Sequence, residues 1–182
     1  DPLWSRGLGD VYKRQTLNRA TDTTRQPGST FKILAAYSAA LDAGGLTLAS
    51  VQDDAPYTYA GANGKSVNNY DRRYRGFTTL REAITDSINI VTVKTLAQAG
   101  VSLGWQYVQE YGFTTVDSRD MNEALALGGI TQGVSNLELT AAYAAIANQG
   151  TYIKPKFYTK ILDHDGNAVS YTHLTLPTNR EV

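Results

Sequence analysis

Cysteine is absent from this chain of 182 residues, so disulfides and thiolate chemistry contribute nothing to its fold or function. Histidine occurs only twice, at His164 and His173, which leaves neither a zinc pattern nor a well-placed Ser-His-Asp triad. The glycine pairs at 44–45 and 128–129 lack the spacing of a P-loop or a dinucleotide-binding loop. The sequence therefore predicts a protein without metal or cofactor.

The chain also has no net charge and no long apolar run. Seventeen Lys and Arg residues balance seventeen Asp and Glu residues, whereas a nucleic-acid binder normally has a basic face. No apolar run approaches the roughly 20 residues that span a bilayer, so a membrane anchor would have to lie elsewhere in a parent protein. Hydrophobic residues nevertheless make up 42% of the chain, enough for a packed core.

The spacing of apolar residues and the positions of helix-capping and helix-ending residues predict a mostly helical domain over residues 16–169. Residues 1–15 and 170–182 have no helical or strand pattern and resemble translated linker or adaptor read-through, so we expect both to be foreign to the native gene. Capping boxes at Thr79–Glu82 and at Ser135–Glu138 each predict a helix start. The predicted elements are helices over 28–43, 89–99, 103–111 and 135–148, a polar excursion over 51–78, and a strand over 151–162.

Ser29-Thr30-Phe31-Lys32 is the segment best suited to nucleophilic chemistry. Residues i and i+3 share a helix face, so the Lys32 amine can approach the Ser29 hydroxyl, a poor nucleophile until a base removes its proton. Lysine acts as a base only when its pKa is lowered, for example by burial. The start of a helix also offers free N–H groups to a developing oxyanion. Alone, S-x-x-K is a weak signal, because it arises by chance on solvated helix faces.

Ser87-Ile88-Asn89 lies at a predicted junction between two helices. In a cleft, Ser87 could relay a proton between Lys32 and a leaving group, and the Asn89 amide could hydrogen-bond a peptide backbone. The simpler alternative is that Ser87 or Asn89 merely caps the next helix.

Taken together, these segments resemble the transpeptidase domain of penicillin-binding proteins, in particular the class A enzymes. The matching order is Asn18-Arg19-Ala20, then Arg25-Gln26-Pro27-Gly28-Ser29-Thr30-Phe31-Lys32, then Tyr74-Arg75-Gly76-Phe77-Thr78-Thr79-Leu80-Arg81-Glu82-Ala83, Asp86-Ser87-Ile88-Asn89, Ala126-Leu127-Gly128-Gly129, Leu137-Glu138-Leu139-Thr140-Ala141-Ala142-Tyr143 and Ala147-Asn148-Gln149-Gly150. Several motifs in the right order are far more specific than any single one.

The resemblance implies an α+β serine β-lactamase/transpeptidase-like fold, truncated to mostly its helical part. It implies a D,D-transpeptidase that cross-links peptidoglycan stem peptides, with Ser29 as the acylated nucleophile, Lys32 as the base, Ser87 as the relay and Asn89 as a substrate contact. β-Lactam antibiotics would acylate the same serine. A parent protein of this family lies at the extracytoplasmic face of the bacterial cytoplasmic membrane, with an anchor and an upstream glycosyltransferase domain.

Two departures from the family pattern matter. The third motif, K-[ST]-G on a central strand, is missing, since Lys94-Thr95-Leu96 ends in Leu and lies on a predicted helix. The strand that precedes Asn18 in the family is also replaced. Apolar helix faces that include Phe31, Leu34, Leu41, Leu139 and Ile146 are therefore expected, in part, to lack the sheet on which they pack, and the fragment alone is expected to be inactive. Two alternatives stay open: a serine β-lactamase and a non-catalytic penicillin-sensing domain of the same fold.

Overall fold

The computed structural model describes residues 17–60 and 65–171. Its α-helices are α1 (Ser38–Asp42), α2 (Leu80–Thr85), α3 (Asn89–Ala99), α4 (Val101–Glu110) and α5 (Asn136–Ala147). Its strands are β1 (Thr24–Arg25), β2 (Val51–Asp54), β3 (Tyr57–Thr58), β4 (Ser66–Val67), β5 (Gly76–Thr79), β6 (Val134–Ser135), β7 (Lys160–Leu162) and β8 (Ala168–Tyr171). Shorter helical segments are the 3₁₀ helices Gly28–Thr30, Ser118–Asp120 and Glu123–Leu127 and the π-helix Ile33–Tyr37.

The strands pair in twos, all antiparallel: β1 with β6, β2 with β5, β3 with β4 and β7 with β8. Within the described part of the chain, no sheet has more than two strands. The architecture is thus α+β and dominated by helices, which confirms the predicted fold class and its small share of sheet.

The core is formed by the helical segment that starts at Gly28, together with α3, α4 and the 3₁₀ helix Glu123–Leu127. Phe31 lies at its centre and packs edge-on against Phe113, with 5.1 Å between ring centroids. Phe31 and Leu34 are both fully buried by this chain itself, so they need no further sheet, whereas Ile146 is 39% exposed. The expectation of uncovered apolar faces is therefore wrong for Phe31 and Leu34.

Both predicted capping boxes are confirmed. The Thr79 hydroxyl accepts from the Glu82 N–H at 3.2 Å, and the Glu82 carboxylate accepts from the Thr79 N–H at 3.0 Å. Ser135 and Glu138 make the same reciprocal pair at the start of α5. The predicted bounds of α3 are also confirmed, and α4 begins two residues earlier than expected.

Two sequence-based expectations are corrected. The segment 51–78, predicted as a polar excursion, contains β2, β3, β4 and most of β5. These strands form through backbone hydrogen bonds between distant parts of the segment, which the pattern of its polar side chains does not indicate. The strand predicted over 151–162 is limited to β7, since only Lys160–Leu162 finds a partner strand. Apart from residues 170 and 171 in β8, the two segments assigned as foreign lie outside the described residues.

Among the described residues, no helix is long and apolar enough to cross a membrane.

Candidate active site

Lys32 is the centre of a buried cluster that joins both predicted motifs. Its side chain is only 3% exposed, and its Nζ donates to the Ser87 carbonyl at 2.6 Å, the Ser87 Oγ at 2.9 Å and the Asn89 Oδ1 at 2.6 Å. A protonated lysine has three donors, and these three acceptors satisfy all of them. Three of the four predicted site residues are therefore in direct contact, although more than 50 residues of sequence separate Lys32 from the other two.

Burial also changes the acid–base behaviour of this lysine. Removal from water disfavours the ammonium form and lowers the pKa of Lys32 to about 8. An amine with a pKa near the working pH is neutral often enough to accept a proton, yet its conjugate acid readily returns that proton. The environment thus gives Lys32 the property that a general base requires.

Ser29 occupies the first turn of the same helical segment, in the 3₁₀ helix Gly28–Thr30. Three residues per 3₁₀ turn align positions i and i+3, which puts Ser29 one turn before Lys32 on the same face. Ser29 is exposed, and no described residue hydrogen-bonds its hydroxyl, so the Ser29–Lys32 proton-transfer contact is not formed in this conformation. Catalytic hydrogen bonds commonly tighten only when substrate binds.

The backbone before Ser29 is fixed by close contact with the segment that follows the 3₁₀ helix Glu123–Leu127. Gly128 has a φ of +74°, and a Cβ built on it would lie 2.6 Å from the Gly28 carbonyl oxygen and 2.7 Å from the Gly28 nitrogen. Only glycine permits this close approach, and the left-handed φ also favours glycine. The Gln26 amide adds a two-point contact, donating to the Ile130 carbonyl and accepting from the Ile130 N–H at 3.0 Å. Gly128 and Gln26 therefore hold the turn that carries Ser29 in place.

Ser87 ends α2 in a strained backbone conformation. The Ile88 N–H donates to the Ala83 carbonyl at 2.9 Å and the Ser87 N–H to the Ile84 carbonyl at 3.3 Å, the pair of bonds that defines a Schellman motif. The left-handed residue of that motif is usually glycine, yet here it is Ser87, with a φ of +53°. This conformation directs both the carbonyl and the hydroxyl of Ser87 to Lys32.

Asn89 is the first residue of α3, and its side chain does not cap that helix. Its Oδ1 accepts from Lys32, and its Nδ2 donates to the Asn68 carbonyl at 2.8 Å. The residue that precedes α3, Ile88, supplies no side-chain cap either. The capping alternative for the second motif is therefore wrong, because both of its polar side chains contact the lysine.

Sequence reasoning missed two buried polar residues behind this cluster, Asp54 and Asn69. Asp54 at the end of β2 is fully buried and Asn69 is 4% exposed, and they hydrogen-bond each other. Both lie in the segment assigned as a polar excursion, where nothing in the local pattern marks a polar residue as buried. Only the antiparallel pairing of β2 with β5 brings Asp54 inside.

The Lys94-Thr95-Leu96 sequence lies on α3, as predicted. Thr95 and Leu96 face the core, and the Lys94 Nζ donates to the Asp53 carbonyl at 2.7 Å, away from the Lys32 cluster. It is not a third motif on a strand.

The chain is similar in sequence and in fold to known proteins of one family. The family model for the penicillin-binding protein transpeptidase domain matches residues 6–180. Penicillin-binding protein 1F of Bacillus subtilis is 40% identical over 162 residues, which cover 89% of this chain and 22% of that protein. A crystal structure of penicillin-binding protein 1A from Haemophilus influenzae aligns with a TM-score of 0.76 at 32% identity, over 89% of this chain and 24% of that one.

A second solved structure supports the fold alone. Penicillin-binding protein A of M. tuberculosis, as an imipenem acyl-enzyme complex, aligns with a TM-score of 0.74 at 24% identity, over 93% of this chain and 42% of that one. The chain thus spans less than half the length of each of these proteins. The family match also enters both terminal segments, whose foreign origin stays a prediction. The matched residues and the conserved architecture show that the chain belongs to the transpeptidase domain family of penicillin-binding proteins.

Proposed function

We propose that the protein carrying this chain is a D,D-transpeptidase that cross-links peptidoglycan stem peptides through an acyl-serine intermediate. The observation that supports it most strongly is the buried Lys32, with a pKa near 8, joined to Ser87 and Asn89 and one helical turn from Ser29. Burial lowers the pKa of this amine, a property that a base requires and that a purely structural lysine does not.

In the proposed first half-reaction, neutral Lys32 accepts the Ser29 proton while the Ser29 Oγ attacks the carbonyl carbon between the two terminal D-alanines. The C–N bond then breaks, and the departing amine takes a proton from the Lys32 ammonium through the Ser87 hydroxyl. Ser87 suits this relay since its Oγ is 2.9 Å from the Lys32 Nζ. D-Alanine leaves, and the stem peptide remains as an ester on Ser29.

The second half-reaction reverses these roles. An amine from a neighbouring stem peptide loses its proton through Ser87 to Lys32 and attacks the ester. The new amide forms as the C–O bond to Ser29 breaks, and the serine oxygen recovers its proton from Lys32. Asn89, which is half-buried at the edge of the cluster, is the residue that would hold a substrate amide.

A β-lactam would enter the same first step, since its strained amide presents an acylatable carbonyl. Its leaving nitrogen stays tethered after ring opening, so the acyl-serine persists. The imipenem acyl-enzyme of the M. tuberculosis relative supports this expectation for the family. The parent protein is proposed to act at the extracytoplasmic face of the cytoplasmic membrane, with an anchor and a glycosyltransferase domain outside this chain.

The test is turnover by the complete protein. With a stem pentapeptide and an amine acceptor, we expect release of D-alanine and a cross-linked product, both lost in Ser29→Ala and retained in the control Ser102→Ala, which changes an exposed serine of α4. Rapid hydrolysis of a chromogenic cephalosporin without peptide cross-linking would instead identify a β-lactamase. Acylation without either turnover would identify a penicillin-sensing domain.

A further inference from the structure

Asn69 joins a buried carboxylate to the start of the helix that carries Asn89. Its Nδ2 donates to Asp54 Oδ1 at 2.7 Å and to the Arg73 carbonyl at 2.8 Å. Asp54 is fully buried and also accepts from the Arg75 N–H at 2.9 Å. Because a carboxylate only accepts hydrogen bonds, it selects the NH₂ end of the Asn69 amide and thereby turns the carbonyl end towards α3.

The carbonyl end of the Asn69 side chain caps α3, although Asn69 is distant from that helix in the sequence. Its Oδ1 accepts from the Asn89 N–H at 3.1 Å and from the Ile90 N–H at 3.2 Å. The first N–H groups of a helix have no partner within the helix, and here no neighbouring side chain caps them. The preceding residue, Asn68, accepts from the Asn89 Nδ2 at 2.8 Å, so one short segment holds both the backbone and the side chain of Asn89.

We propose that Asn69, oriented by Asp54, is a positioning residue for Ser29 acylation that acts through Asn89 on the Lys32 amine. This inference rests on the proposed function. The chain of contacts runs from Asp54 to Asn69, then to the Asn89 backbone, and from the Asn89 Oδ1 to Lys32 Nζ at 2.6 Å. A misplacement of about 1 Å at a reacting group can cost on the order of 10²-fold in rate, which sets the scale of the expected effect.

The experiment is a double-mutant cycle on the complete protein, with the rate constant for acylation by a fluorescent penicillin measured separately from its binding constant. We expect Asn69→Ala to slow acylation about 10²-fold with little change in binding. If Asn69 acts through Asn89, the Asn69→Ala/Asn89→Ala double variant acylates no more slowly than Asn89→Ala alone. A double variant as slow as the product of the two single effects would overturn the proposal.

The matched control is Asn148→Ala. Asn148 is also an asparagine whose amide caps a helix end, here the C-terminus of α5, where it donates to the Thr151 carbonyl at 3.0 Å. We expect it to acylate at the unchanged rate. A slowing equal to that of Asn69→Ala would show that the loss of any such cap suffices, and would refute a positioning role.

A charge-swapped pair keeps the test available should Asn69→Ala fail to fold. Asp54→Asn/Asn69→Asp exchanges the carboxylate and the amide: position 69 keeps an acceptor for the Asn89 and Ile90 N–H groups and can accept from the amide at position 54, and only the donation to the Arg73 carbonyl is lost. A carboxylate is also favourable at a helix N-terminus. The folded double variant is expected to acylate within about tenfold of the unchanged protein, and a loss of about 10²-fold would refute the proposal. Failure of the proposed function would differ from failure of this positioning role, because the unchanged protein itself would then form no adduct at Ser29.

Discussion

The titration of Lys32 gives the account its most quantitative prediction. With a pKa of about 8, about a tenth of the Lys32 amines are neutral at pH 7 and about nine-tenths at pH 9. Only the neutral amine accepts the Ser29 proton, so the acylation rate constant should rise about tenfold between these two pH values and level off above them. The acylation rate rises with pH because deprotonation produces the neutral amine. Burial lowers the pKa of Lys32 and so moves this rise towards neutral pH.

The assay is stopped-flow acylation of the complete protein by a fluorescent penicillin between pH 6 and pH 10. Lys32→Arg should acylate at least 10²-fold more slowly at every pH, because a guanidinium does not lose its proton in this range. The matched control Lys94→Arg changes a lysine that donates to the Asp53 carbonyl and lies over the Tyr57 ring, without contact to Lys32, and it should retain both the rate and the rise near pH 8. A flat profile, or near-normal acylation by Lys32→Arg, would refute the base role of Lys32.

Three further predictions follow from the backbone around the site and from the sequence itself. Gly128→Ala should lower the free energy of unfolding and slow acylation, because the new Cβ would clash with the Gly28 backbone. The control Gly45→Ala has a similar φ of +70° but lies in open space, so it should lower the free energy of unfolding by only about 1–2 kcal/mol and leave acylation unchanged. Ser87→Gly should raise the free energy of unfolding by about 1 kcal/mol in thermal denaturation while it slows acylation, and Ser87→Ala should slow acylation without that gain. The 182-residue chain expressed alone should not be stably acylated, because it lacks the K-[ST]-G motif, whose strand, by family resemblance, supplies one of two oxyanion donors. Stoichiometric penicillin labelling of the isolated chain would contradict this.

Local sequence signals predicted the parts of the fold that local physics determines. Thr79 with Glu82 and Ser135 with Glu138 satisfy each other's N–H groups within four residues, so both helix starts could be predicted. Ser29 and Lys32 are likewise related by helical spacing alone. The contact of Lys32 with Ser87 and Asn89 is expected from resemblance to a family, because no local pattern connects residues more than 50 positions apart.

The parts that depend on distant pairing could not be predicted. Asp54 and Asn69 appear as ordinary polar residues in the sequence. Pairing of β2 with β5 buries Asp54, and hydrogen bonds to Asp54 and to the start of α3 hold Asn69 in the interior. The same limit explains the strand predicted over 151–162, where alternation is present but β8 pairs with only three residues. The packing of Phe31 against Phe113 also joins residues far apart in the sequence. From the sequence alone, Phe31 is among the apolar residues expected, in part, to pack on a sheet that this chain lacks.

The most direct test of the central claim is to locate the penicillin adduct in the complete protein. Cleavage after Arg25 and after Lys32 yields a short peptide, residues 26–32, that contains Ser29 and Thr30 as its hydroxyl residues. Tandem mass spectrometry should place a single adduct on the Ser29 oxygen, and Ser29→Ala protein should carry none. An adduct on any other residue, or an intact adduct in the Ser29→Ala protein, would contradict the assignment of Ser29 as the nucleophile.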